Sequence, residues 1–310
     1  MTDLSICIVS YNNRKLLEEC LCSLYKNIGQ LSYEIFVVDN NSNDGSVSMV
    51  REKFPSIKII ENRTNAGFAR PNNQAIQQSN SSYILLLNQD TLILNSKSIE
   101  TMVDFLRKNK EAGVCGCRHI KPDGTAQSSH RRFPTFKRIF LTFLHKFLFS
   151  KKYKANCKTQ DFSSKCETDS ISGACFLVKR EIIDKVGYLD ESYYFYYEET
   201  DWCYRIKKAG WKIYWLPEIE IVHYGGGGGP VTLRLDAEFW RSEHLFFKKH
   251  YGIISASCLA ILYIFISGLE AMKSILACIY RFRSSKKLNK HFDTVKHNLG
   301  LLCFTIKMEL

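Results

Sequence analysis

Residues 4–41 read LSICIVSYNNRKLLEECLCSLYKNIGQLSYEIFVVDNN and contain a complete strand–helix–strand pattern. The run at 4–10 is short, apolar and rich in β-branched residues, which is typical of a strand buried on both faces. Leucines and an isoleucine at three- and four-residue spacing then predict an amphipathic helix over 14–28. A second apolar strand at 34–38 ends at an aspartate. This order predicts a parallel sheet covered by helices.

The same alternation continues to about residue 90. Apolar runs at 57–61 and 83–87 predict two more strands, with helices between the strands at about 45–54 and 70–79. The fold class is therefore α/β. In such sheets ligands bind beyond the carboxyl ends of the strands, so the polar residues that follow three of them are site candidates. These candidates are Ser10, Tyr11, Asn12, Asp39, Asn40, Asn41, Asn88, Gln89 and Asp90.

The positive charge of the chain is unevenly distributed. The 43 Lys and Arg residues exceed the 31 Asp and Glu residues, for a net charge of +12. Residues 124–160 contain nine basic residues and no acid, and residues 240–310 contain eleven basic residues against four acids. The rest of the chain is slightly acidic. This distribution excludes a uniformly basic nucleic-acid binder, and we expect no nucleic-acid partner.

The twelve cysteines are scattered and form no C-x-x-C pair. The N-terminal residues lack the basic start and apolar core of a secretion signal. We therefore expect reduced, mostly buried thiols in a cytoplasmic protein rather than disulfides or a zinc site.

Asp90 ends the apolar strand at 83–87, where an unpaired carboxylate would be costly to bury. An exposed turn residue would give the same pattern. The functional interpretation is a ligand for Mg²⁺ or Mn²⁺ held against a diphosphate.

A second acidic cluster follows the aromatic run at 193–197. If a helix begins there, Glu198, Asp201 and Arg205 share one face. Acidic residues in a first turn also suit the helix dipole, which is a purely structural explanation. The cluster contains three carboxylates, those of Glu198, Glu199 and Asp201, beside five aromatic residues. Such a cluster is also typical of a pocket that holds a general base.

His223 follows a predicted strand at 219–222 and precedes a polyglycine segment at 225–229. A single histidine is most often structural. Here the flexible loop that follows favours a metal ligand, since neutral imidazole binds Mn²⁺ well alongside a carboxylate. The glycines lack the G-x-x-x-x-G-K-[ST] pattern of a P-loop, and no G-x-G-x-x-G follows the first strand.

With these positions established, the sequence resembles family 2 glycosyltransferases of the GT-A fold, in particular their rhamnosyltransferase-like branch. The resemblance covers about residues 4–230 in the expected order. The matching segments are VSYNN (9–13), VVDNNSNDGS (37–46), NAGFARPNNQAI (65–76), LLLNQDT (85–91), SGACFLVKREIIDKVGYLDE (172–191), FYYEETDWCYRIKKAGWKIYWLP (195–217) and IVHYGG (221–226).

The resemblance implies a role for each matching residue. Ser10, Tyr11, Asn12 and Asp39 fall where the family binds the nucleoside of the donor, and Asn65 and Gly67 fall in the segment that lines the nucleotide-sugar. Asp90 matches the last aspartate of the Asp-x-Asp-type metal motif, whose first position is Asn88 here. His223 matches a histidine that often completes the metal site, and Glu199 matches the usual catalytic base.

The implied reaction is an inverting transfer from a nucleotide-sugar to a hydroxyl of a glycan or polyprenyl-linked glycan, aided by Mg²⁺ or Mn²⁺. The branch suggests dTDP-rhamnose as the donor, and a UDP-sugar is the alternative. Glu199 would act as base, with Asp201 and Glu198 positioning the acceptor or nearby groups. Two departures from the family pattern are Glu199 in place of aspartate and Pro71 in place of glycine.

Two segments have membrane-compatible composition. Residues 131–152 interleave bases with aromatics and leucines, as interfacial helices do, although a helix packed on the domain would explain the pattern too. Residues 252–269 carry no charge and just reach the length of a spanning helix; a hairpin on one leaflet and a buried helix pair are the alternatives. We expect a peripheral or monotopic protein at the inner face of the membrane.

The expected organisation is a GT-A domain over 1–235, with a basic insertion and loop at 131–168, and a helical, basic C-terminal region over 236–310. Two other classes of protein remain open from the residues: a nucleotidyltransferase and a non-catalytic nucleotide-sugar-binding module. The first normally has a glycine-rich basic motif after its first strand, which VSYNNRK is not. The joint presence of Asp90, Glu199 and His223 argues against the second.

Overall fold

A computed structural model describes residues 2–149, 165–225 and 233–280, together with Lys296 and Gly300. Most of the predicted loop at 153–168, the polyglycine residues 226–229 and the basic cluster at 281–290 lie outside the described residues. The described residues fall into two compact units. One comprises residues 2–133 with 165–225, and the other comprises residues 134–149 with 233–280.

The first unit alternates strands and helices along its N-terminal half and is richer in strands afterwards. Its strands are β1 (Thr2–Ser10), β2 (Tyr33–Asp39), β3 (Lys58–Glu61), β4 (Ser81–Asn88), β5 (Thr91–Ile93), β6 (Ala112–Ile120), β7 (Ala126–Gln127), β8 (His130–Arg131), β9 (Cys166–Thr168), β10 (Ser170–Ile171), β11 (Cys175–Lys179) and β12 (Lys212–His223). Its helices are α1 (Arg14–Asn27), α2 (Ser46–Lys53), α3 (Ala69–Gln78), α4 (Ser98–Lys108), α6 (Arg180–Val186) and α7 (Glu198–Lys208).

The main sheet has the strand order β3-β2-β1-β4-β11-β6-β12-β5. Its first four strands are parallel, so their carboxyl ends lie at one edge. Strand β11 is antiparallel to both β4 and β6, whereas β12 runs parallel to β6. At the far edge, β5 pairs antiparallel with the end of β12. The predicted α/β class, with a largely parallel sheet, is confirmed.

The sheet is buried on both faces because its strands carry apolar side chains on both sides. Along β1, Ile6 and Ile8 belong to one apolar cluster with helices α1 and α4, while Cys7 belongs to the cluster on the opposite face. Trp202 of α7 stacks on Phe176 of β11 with ring centroids 5.4 Å apart, and neither side chain is exposed. These two cores hold the strand ends, and hence the candidate residues, in fixed positions.

The predicted elements agree with the structure to within a few residues where the chain alternates regularly. The segments β5, β6 and β11 were not predicted, and the strand predicted at 219–222 is only the end of β12. The proline that departs from the family pattern, Pro71, lies in the first turn of α3. Because a backbone N–H there has no acceptor within the helix, the proline does not interrupt α3.

The second unit is helical and consists of α5 (Phe136–Phe149), α8 (Leu233–Tyr251) and α9 (Ile253–Tyr280). The helix of the predicted insertion, α5, groups with the C-terminal helices, since it packs on α9 through Phe143 and Phe265, whose ring centroids are 6.2 Å apart. Residues 131–133 and 165–168 of that insertion belong to the first unit. Among the described residues, one helical segment, Ile253–Lys273, is long and apolar enough to cross a membrane, judged by length and composition.

Candidate active site

The register between β5 and β12 brings Asp90 and His223 together. His223 pairs with Thr91, so Asp90, directly before β5, lies beside the end of β12. The Tyr224 backbone N–H donates to the Asp90 carbonyl at 3.0 Å, and the Gly225 N–H donates to Asp90 Oδ2 at 3.1 Å. The other carboxylate oxygen, Oδ1, is 3.4 Å from His223 Nε2. Two residues that are distant in sequence thus converge at one edge of the sheet.

The imidazole of His223 is oriented by the β6–β7 hairpin. Its Nδ1 lies 2.8 Å from Gln127 Oε1, and since a carbonyl oxygen only accepts, Nδ1 carries the hydrogen. The other nitrogen, Nε2, faces Asp90 and lies 3.5 Å from Asn88 Nδ2. Behind it, His119 is fully buried with its ring centroid 5.5 Å from that of His223. Burial lowers the pKa of His119 to about 3, so this ring is neutral.

Asp90 is ionised despite being only 7% exposed. Burial acts to raise the pKa of this carboxyl, but the hydrogen bond and positive charge of His223, together with the Gly225 N–H, hold it below its ordinary value. The sheet edge therefore presents a fixed carboxylate beside a fixed imidazole nitrogen. Among the described residues, no group of three or more His, Cys, Asp or Glu side chains could hold a metal ion by itself.

Ser10 and Asp39 end the neighbouring parallel strands β1 and β2, where they are register partners. Both are buried, at 0% and 3% exposure. Ser10 Oγ and Asp39 Oδ1 have no hydrogen-bond partner among the described residues, whereas Asp39 Oδ2 accepts from the Ser42 N–H at 2.8 Å. Because buried polar atoms are normally paired, these two atoms are available to a ligand.

The loop after β1 is held by polar contacts that leave its tyrosine ring free to meet a ligand. The Tyr11 backbone exchanges hydrogen bonds of 3.2 Å with the Gln89 side chain, and the Tyr11 side chain is 44% exposed. Asn12 adopts a positive φ of 45°, and its Oδ1 accepts from the Asn43 N–H at 2.9 Å. The ends of β1, β2 and β4 are therefore joined into one polar surface.

Asn65 and Gly67 lie in the loop before α3 and are tied to the same surface by Asn40. The Asn40 amide donates to Asn65 Oδ1 at 3.3 Å and to the Gly67 carbonyl at 2.8 Å. Gly67 has a φ of +79°, and a Cβ built on it would lie 2.1 Å from the Tyr194 carbonyl oxygen. That carbonyl accepts from the Phe68 N–H at 3.0 Å. This close backbone approach joins the loop to the aromatic segment that precedes α7.

The aromatic segment enters α7 through two strained residues. Tyr196 and Tyr197 have φ values of 68° and 71°. Left-handed backbone costs about 1–2 kcal/mol per non-glycine residue, so the surrounding contacts must hold this turn. The turn places Glu198 and Glu199 at the start of α7, where the positive end of the helix dipole stabilises carboxylates.

The two glutamates have different surroundings. Glu198 is 5% exposed with an unpaired carboxyl oxygen, and burial together with the charge of Glu199 raises its pKa well above the ordinary value. Glu199 is partly exposed, and its Cβ is 3.9 Å from the position that a Cβ on Gly173 would occupy. Burial raises the pKa of Glu199 as well, while the positive charge of Arg131 acts to lower it. Of the two glutamates, Glu199 is therefore the one that is partly exposed to solvent.

Asp201 takes no part in this surface; of the two roles predicted for it, contact with the acceptor or with nearby groups, the structure shows a contact with Arg205. Its side chain is fully buried and accepts from Arg205 Nε at 2.7 Å, the i,i+4 pairing expected from the sequence. Arg205 also donates to the carbonyls of Val186 and Tyr188 at 2.9 and 2.7 Å. Asp201 therefore anchors α7 to the segment after α6. Glu198 is likewise buried.

The sequence of residues 5–187 matches the family model described as glycosyl transferase family 2. The chain belongs to glycosyl transferase family 2. It is a glycosyltransferase of glycan biosynthesis, and curated relatives support its likeness to rhamnosyltransferases. The N-acetylglucosaminyl-diphospho-decaprenol L-rhamnosyltransferase of Mycobacterium tuberculosis is 26% identical over 241 residues, which cover 72% of this chain and 77% of the relative. Rhamnosyltransferase WbbL of Escherichia coli is 24% identical, covering 70% of this chain and 72% of the relative.

Solved structures support the GT-A fold of this glycosyltransferase. The mannosyltransferase PcManGT of Pyrobaculum calidifontis, solved with GDP-Man and Mn²⁺, aligns with a TM-score of 0.54 at 15% identity, covering 99% of this chain and 88% of that one. S. aureus TarS 1–349, solved with UDP, gives a TM-score of 0.54 at 17% identity over 79% of this chain. The alignment spans 65% of that TarS chain.

Three residues of the site escaped prediction from the sequence. Gln127 lies on a two-residue strand, Arg131 lies in a basic run that suggested a membrane helix, and His119 lies in a strand that was not predicted. The hairpin turn Pro122-Asp-Gly-Thr125 is the one signal that could have revealed β6 and β7, since Asp-Gly between strands is a strong turn marker.

Replacing Gly67 by alanine tests the contact between the loop before α3 and the aromatic segment that precedes α7. We expect Gly67→Ala to lower the free energy of unfolding by about 3 kcal/mol or more, because it combines left-handed strain with a clash against a backbone atom. Gly124→Ala is the matched control. Its φ is also +79° but nothing lies within 4 Å of the new Cβ, so we expect only the backbone cost of about 1–2 kcal/mol. Urea unfolding of both variants measures the difference, and equal losses would contradict the contact.

Proposed function

We propose that this glycosyltransferase transfers a sugar with inversion from a nucleotide-sugar to a hydroxyl of a polyprenyl-linked glycan. Rhamnose from dTDP-rhamnose is our preferred donor. The observation that carries the proposal is the pairing of Asp90 with His223 at the edge of the GT-A sheet, in the same unit as the partly exposed Glu199. The names of the M. tuberculosis and E. coli relatives support rhamnose, and the former supports a decaprenol-linked acceptor.

The pair of Asp90 and His223 fits a divalent cation. The carboxylate is ionised, and because Nδ1 is engaged by Gln127, the ring nitrogen that faces Asp90 and would bind a cation in the uncharged imidazole is Nε2. A carboxylate oxygen with an imidazole nitrogen suits Mn²⁺, and Mg²⁺ would rely more on Asp90. Two protein ligands leave coordination positions for diphosphate oxygens and water. When bound, the cation supplies the positive charge that stabilises a departing nucleoside diphosphate.

Ser10 and Asp39 bind the nucleoside of the donor in this proposal. Their unpaired buried atoms, Ser10 Oγ and Asp39 Oδ1, offer a hydroxyl and a carboxylate oxygen at the edge of the sheet. A pyrimidine base has both a donor N–H and acceptor carbonyls for such atoms. The exposed ring of Tyr11 lies beside them and supplies an apolar surface. Asn65 and Gly67, held by Asn40, line the sugar diphosphate.

Glu199 acts as the general base. As the acceptor oxygen attacks the anomeric carbon, the carboxylate of Glu199 takes its proton, and the bond from that carbon to the diphosphate oxygen breaks. A raised pKa makes Glu199 a stronger base than an exposed glutamate, while the positive charge of Arg131 and the start of α7 favour its ionised form. Attack of the acceptor oxygen from the face opposite the leaving group gives inversion. Burial and the charge of Glu199 raise the pKa of Glu198 and so favour its protonated form.

The acceptor places the reaction at the inner face of the cytoplasmic membrane, with the enzyme peripheral or monotopic there. A lipid-linked glycan keeps its polyprenyl chain in the bilayer while its sugars extend into water. The basic composition of residues 124–160 and 240–310 supports attraction to anionic lipid headgroups.

A donor screen separates the candidate sugars. The chain is incubated with dTDP-rhamnose, UDP-glucose, UDP-N-acetylglucosamine and GDP-mannose, and release of the nucleoside diphosphate is followed with and without a lipid-linked acceptor. Preferential turnover of dTDP-rhamnose supports the proposal. Preference for a UDP-sugar would contradict dTDP-rhamnose as the donor but still support glycosyl transfer, whereas turnover of no donor would contradict both.

Replacing Glu199 by glutamine tests the base. We expect kcat to fall by about 10²–10⁴-fold with little change in donor binding, because the substitution removes the proton acceptor and preserves the shape. For the wild-type enzyme, we expect activity to rise with pH as Glu199 ionises. Because the pKa of Glu199 is raised, this rise in the pH–activity profile lies above the ordinary glutamate pKa.

Glu218→Gln is the matched control because it makes the same change at an exposed position of the first unit. Steady-state kinetics across pH 4–9, with circular dichroism to verify folding, supply the measurement. Turnover of folded Glu199→Gln close to that of the control would exclude Glu199 as the base.

Gln127 positions His223 for the cation, and its replacement isolates that role. We expect Gln127→Leu to weaken Mn²⁺ binding by about 10–100-fold, since partners that orient a ligating histidine have effects of this size. Gln127→Glu keeps an oxygen acceptor for the Nδ1 hydrogen and should retain affinity. Electron paramagnetic resonance of free Mn²⁺, titrated without donor, measures affinity independently of turnover. Equal affinity of the leucine variant and the wild type would refute the role of Gln127, and no wild-type binding would refute the cation site itself.

A further inference from the structure

Helix α9 exposes an apolar stripe along one side. Exposure reaches 79% at Ile254, 66% at Ile261, 56% at Phe265 and 51% at Met272. These residues, with the exposed Cys258 and Leu276, recur at three-, four- and seven-residue spacing and therefore share one side of the helix. The opposite side is buried within the second unit, where Ala256, Leu259, Ala260, Tyr263, Ser267 and Ala271 are at most 8% exposed.

The buried side of α9 packs on α8 as an antiparallel hairpin. The two helices are joined by a single residue, Gly252, whose φ is +86°. Trp240 stacks on Tyr263 with ring centroids 4.3 Å apart, and the Tyr263 hydroxyl donates to Glu243. Any position that α9 takes in a bilayer must therefore be one that α8 can share.

Helix α8 is too polar to enter the hydrocarbon layer. It exposes Arg241, Lys248 and Lys249, and it carries Asp236 and Glu238 as well. A charged side chain at the bilayer centre costs about 2.5–3.5 kcal/mol even on the most permissive scale. A spanning α9 would carry these charges into the membrane with it or break the hairpin. An α9 that lies along the surface requires neither.

Helix α5 adds a basic and aromatic edge to the same unit. Its exposed residues include Phe136, Phe140 and Leu141 together with Lys137 and Arg138. The chain beyond α9 continues with five Lys and Arg residues and no acid over 281–290. Aromatic and aliphatic side chains next to lysine and arginine suit the boundary between acyl chains and anionic headgroups.

We propose that α9 lies in the plane of an anionic lipid leaflet, with the stripe of Ile254, Ile261, Phe265 and Met272 in the acyl region and the α8–α9 hairpin kept intact. The proposal deepens the membrane location given under the proposed function. It assigns the lipid contact to one side of α9 and selects an interfacial rather than a spanning orientation for residues 252–269.

Vesicle flotation of the full chain tests the lipid contact in the absence of substrates. We expect the chain to float with vesicles of 70% phosphatidylcholine and 30% phosphatidylglycerol, and at least tenfold less with pure phosphatidylcholine, because each nearby Lys or Arg contributes about 1 kcal/mol at an anionic surface. The triple variant Ile254→Glu, Ile261→Glu and Phe265→Glu should bind the anionic vesicles at least tenfold more weakly than the wild type. Gln77→Glu, Gln78→Glu and Thr101→Glu make the same charge change at exposed helical positions of the first unit and should retain it.

Depth measurements distinguish the interfacial from the spanning orientation. Tryptophan is introduced singly at Ile254, Phe265 and Met272, and quenching by lipids brominated at different depths is compared after subtraction of the signal from the four native tryptophans. At 1.5 Å per residue, Ile254 and Phe265 are about 16 Å apart along the helix. An interfacial α9 gives the three probes the same depth within a few ångströms. A probe at Phe265 near the bilayer centre with Ile254 near the surface would overturn the proposal.

The remaining outcomes are equally decisive. Light scattering of the detergent-free chain tests whether the stripe instead binds a second copy: a dimer that the triple variant converts to monomer, without vesicle binding by the wild type, would overturn the proposal. Donor turnover is assayed in parallel on the same proteins. Failure of the wild-type chain to bind vesicles, with its turnover intact, refutes the lipid contact alone, whereas vesicle binding by the wild type without turnover of any donor refutes the proposed function alone.

Discussion

The antiparallel pairing of β5 with the end of β12 is the constraint on which the candidate site depends. It matches Thr91 to His223 and so puts the Asp90 carboxylate 3.4 Å from the imidazole. A shift of one residue in this register would turn His223 to the opposite face of the sheet. The backbone N–H groups of Tyr224 and Gly225 secure the register by donating to Asp90, so the carboxylate holds in place the loop that contains its partner. The proposed cation ligands are therefore held by the same contacts that form this edge of the sheet.

Glu199, the proposed base, is connected to the same edge of the sheet through the backbone. Ala174 accepts from the Asn88 N–H at 3.0 Å, one residue after the Gly173 on which Glu199 packs. Gly67 lies against the Tyr194 carbonyl, so the loop before α3 and the strained turn into α7 constrain each other's positions. The strain at Tyr196 and Tyr197 is sustained by buried contacts such as Trp202 on Phe176 and the Asp201–Arg205 ion pair. Residues that seemed catalytic from the sequence therefore act in part by holding Glu199 in position.

The N-terminal half was predictable because its local patterns and its fold agree. Runs such as LSICIVS can only be buried strands, and parallel strands must place Ser10, Asp39 and Asp90 at one edge. The later half was not predictable in the same way, since the three-residue strand β5 has no periodicity of its own and β11 enters the sheet antiparallel by long-range pairing. For Asp201 the sequence spacing predicts the pairing with Arg205 but not the full burial of its carboxylate, so contact with a substrate stayed open until the packing was known. For α5 and α9 the composition indicated membrane contact, but only the packing of α8 on α9 selects between crossing and lying on a bilayer.

The central claim is that Asp90 and His223 hold the catalytic cation. Its most direct test is the anomalous scattering of Mn²⁺ in crystals of the chain grown with a nucleoside diphosphate. The account predicts one peak at bonding distance from Asp90 Oδ1 and His223 Nε2, in contact with the diphosphate, with the base near Ser10 and Asp39. A nucleotide bound at that edge with its Mn²⁺ away from both side chains would contradict it.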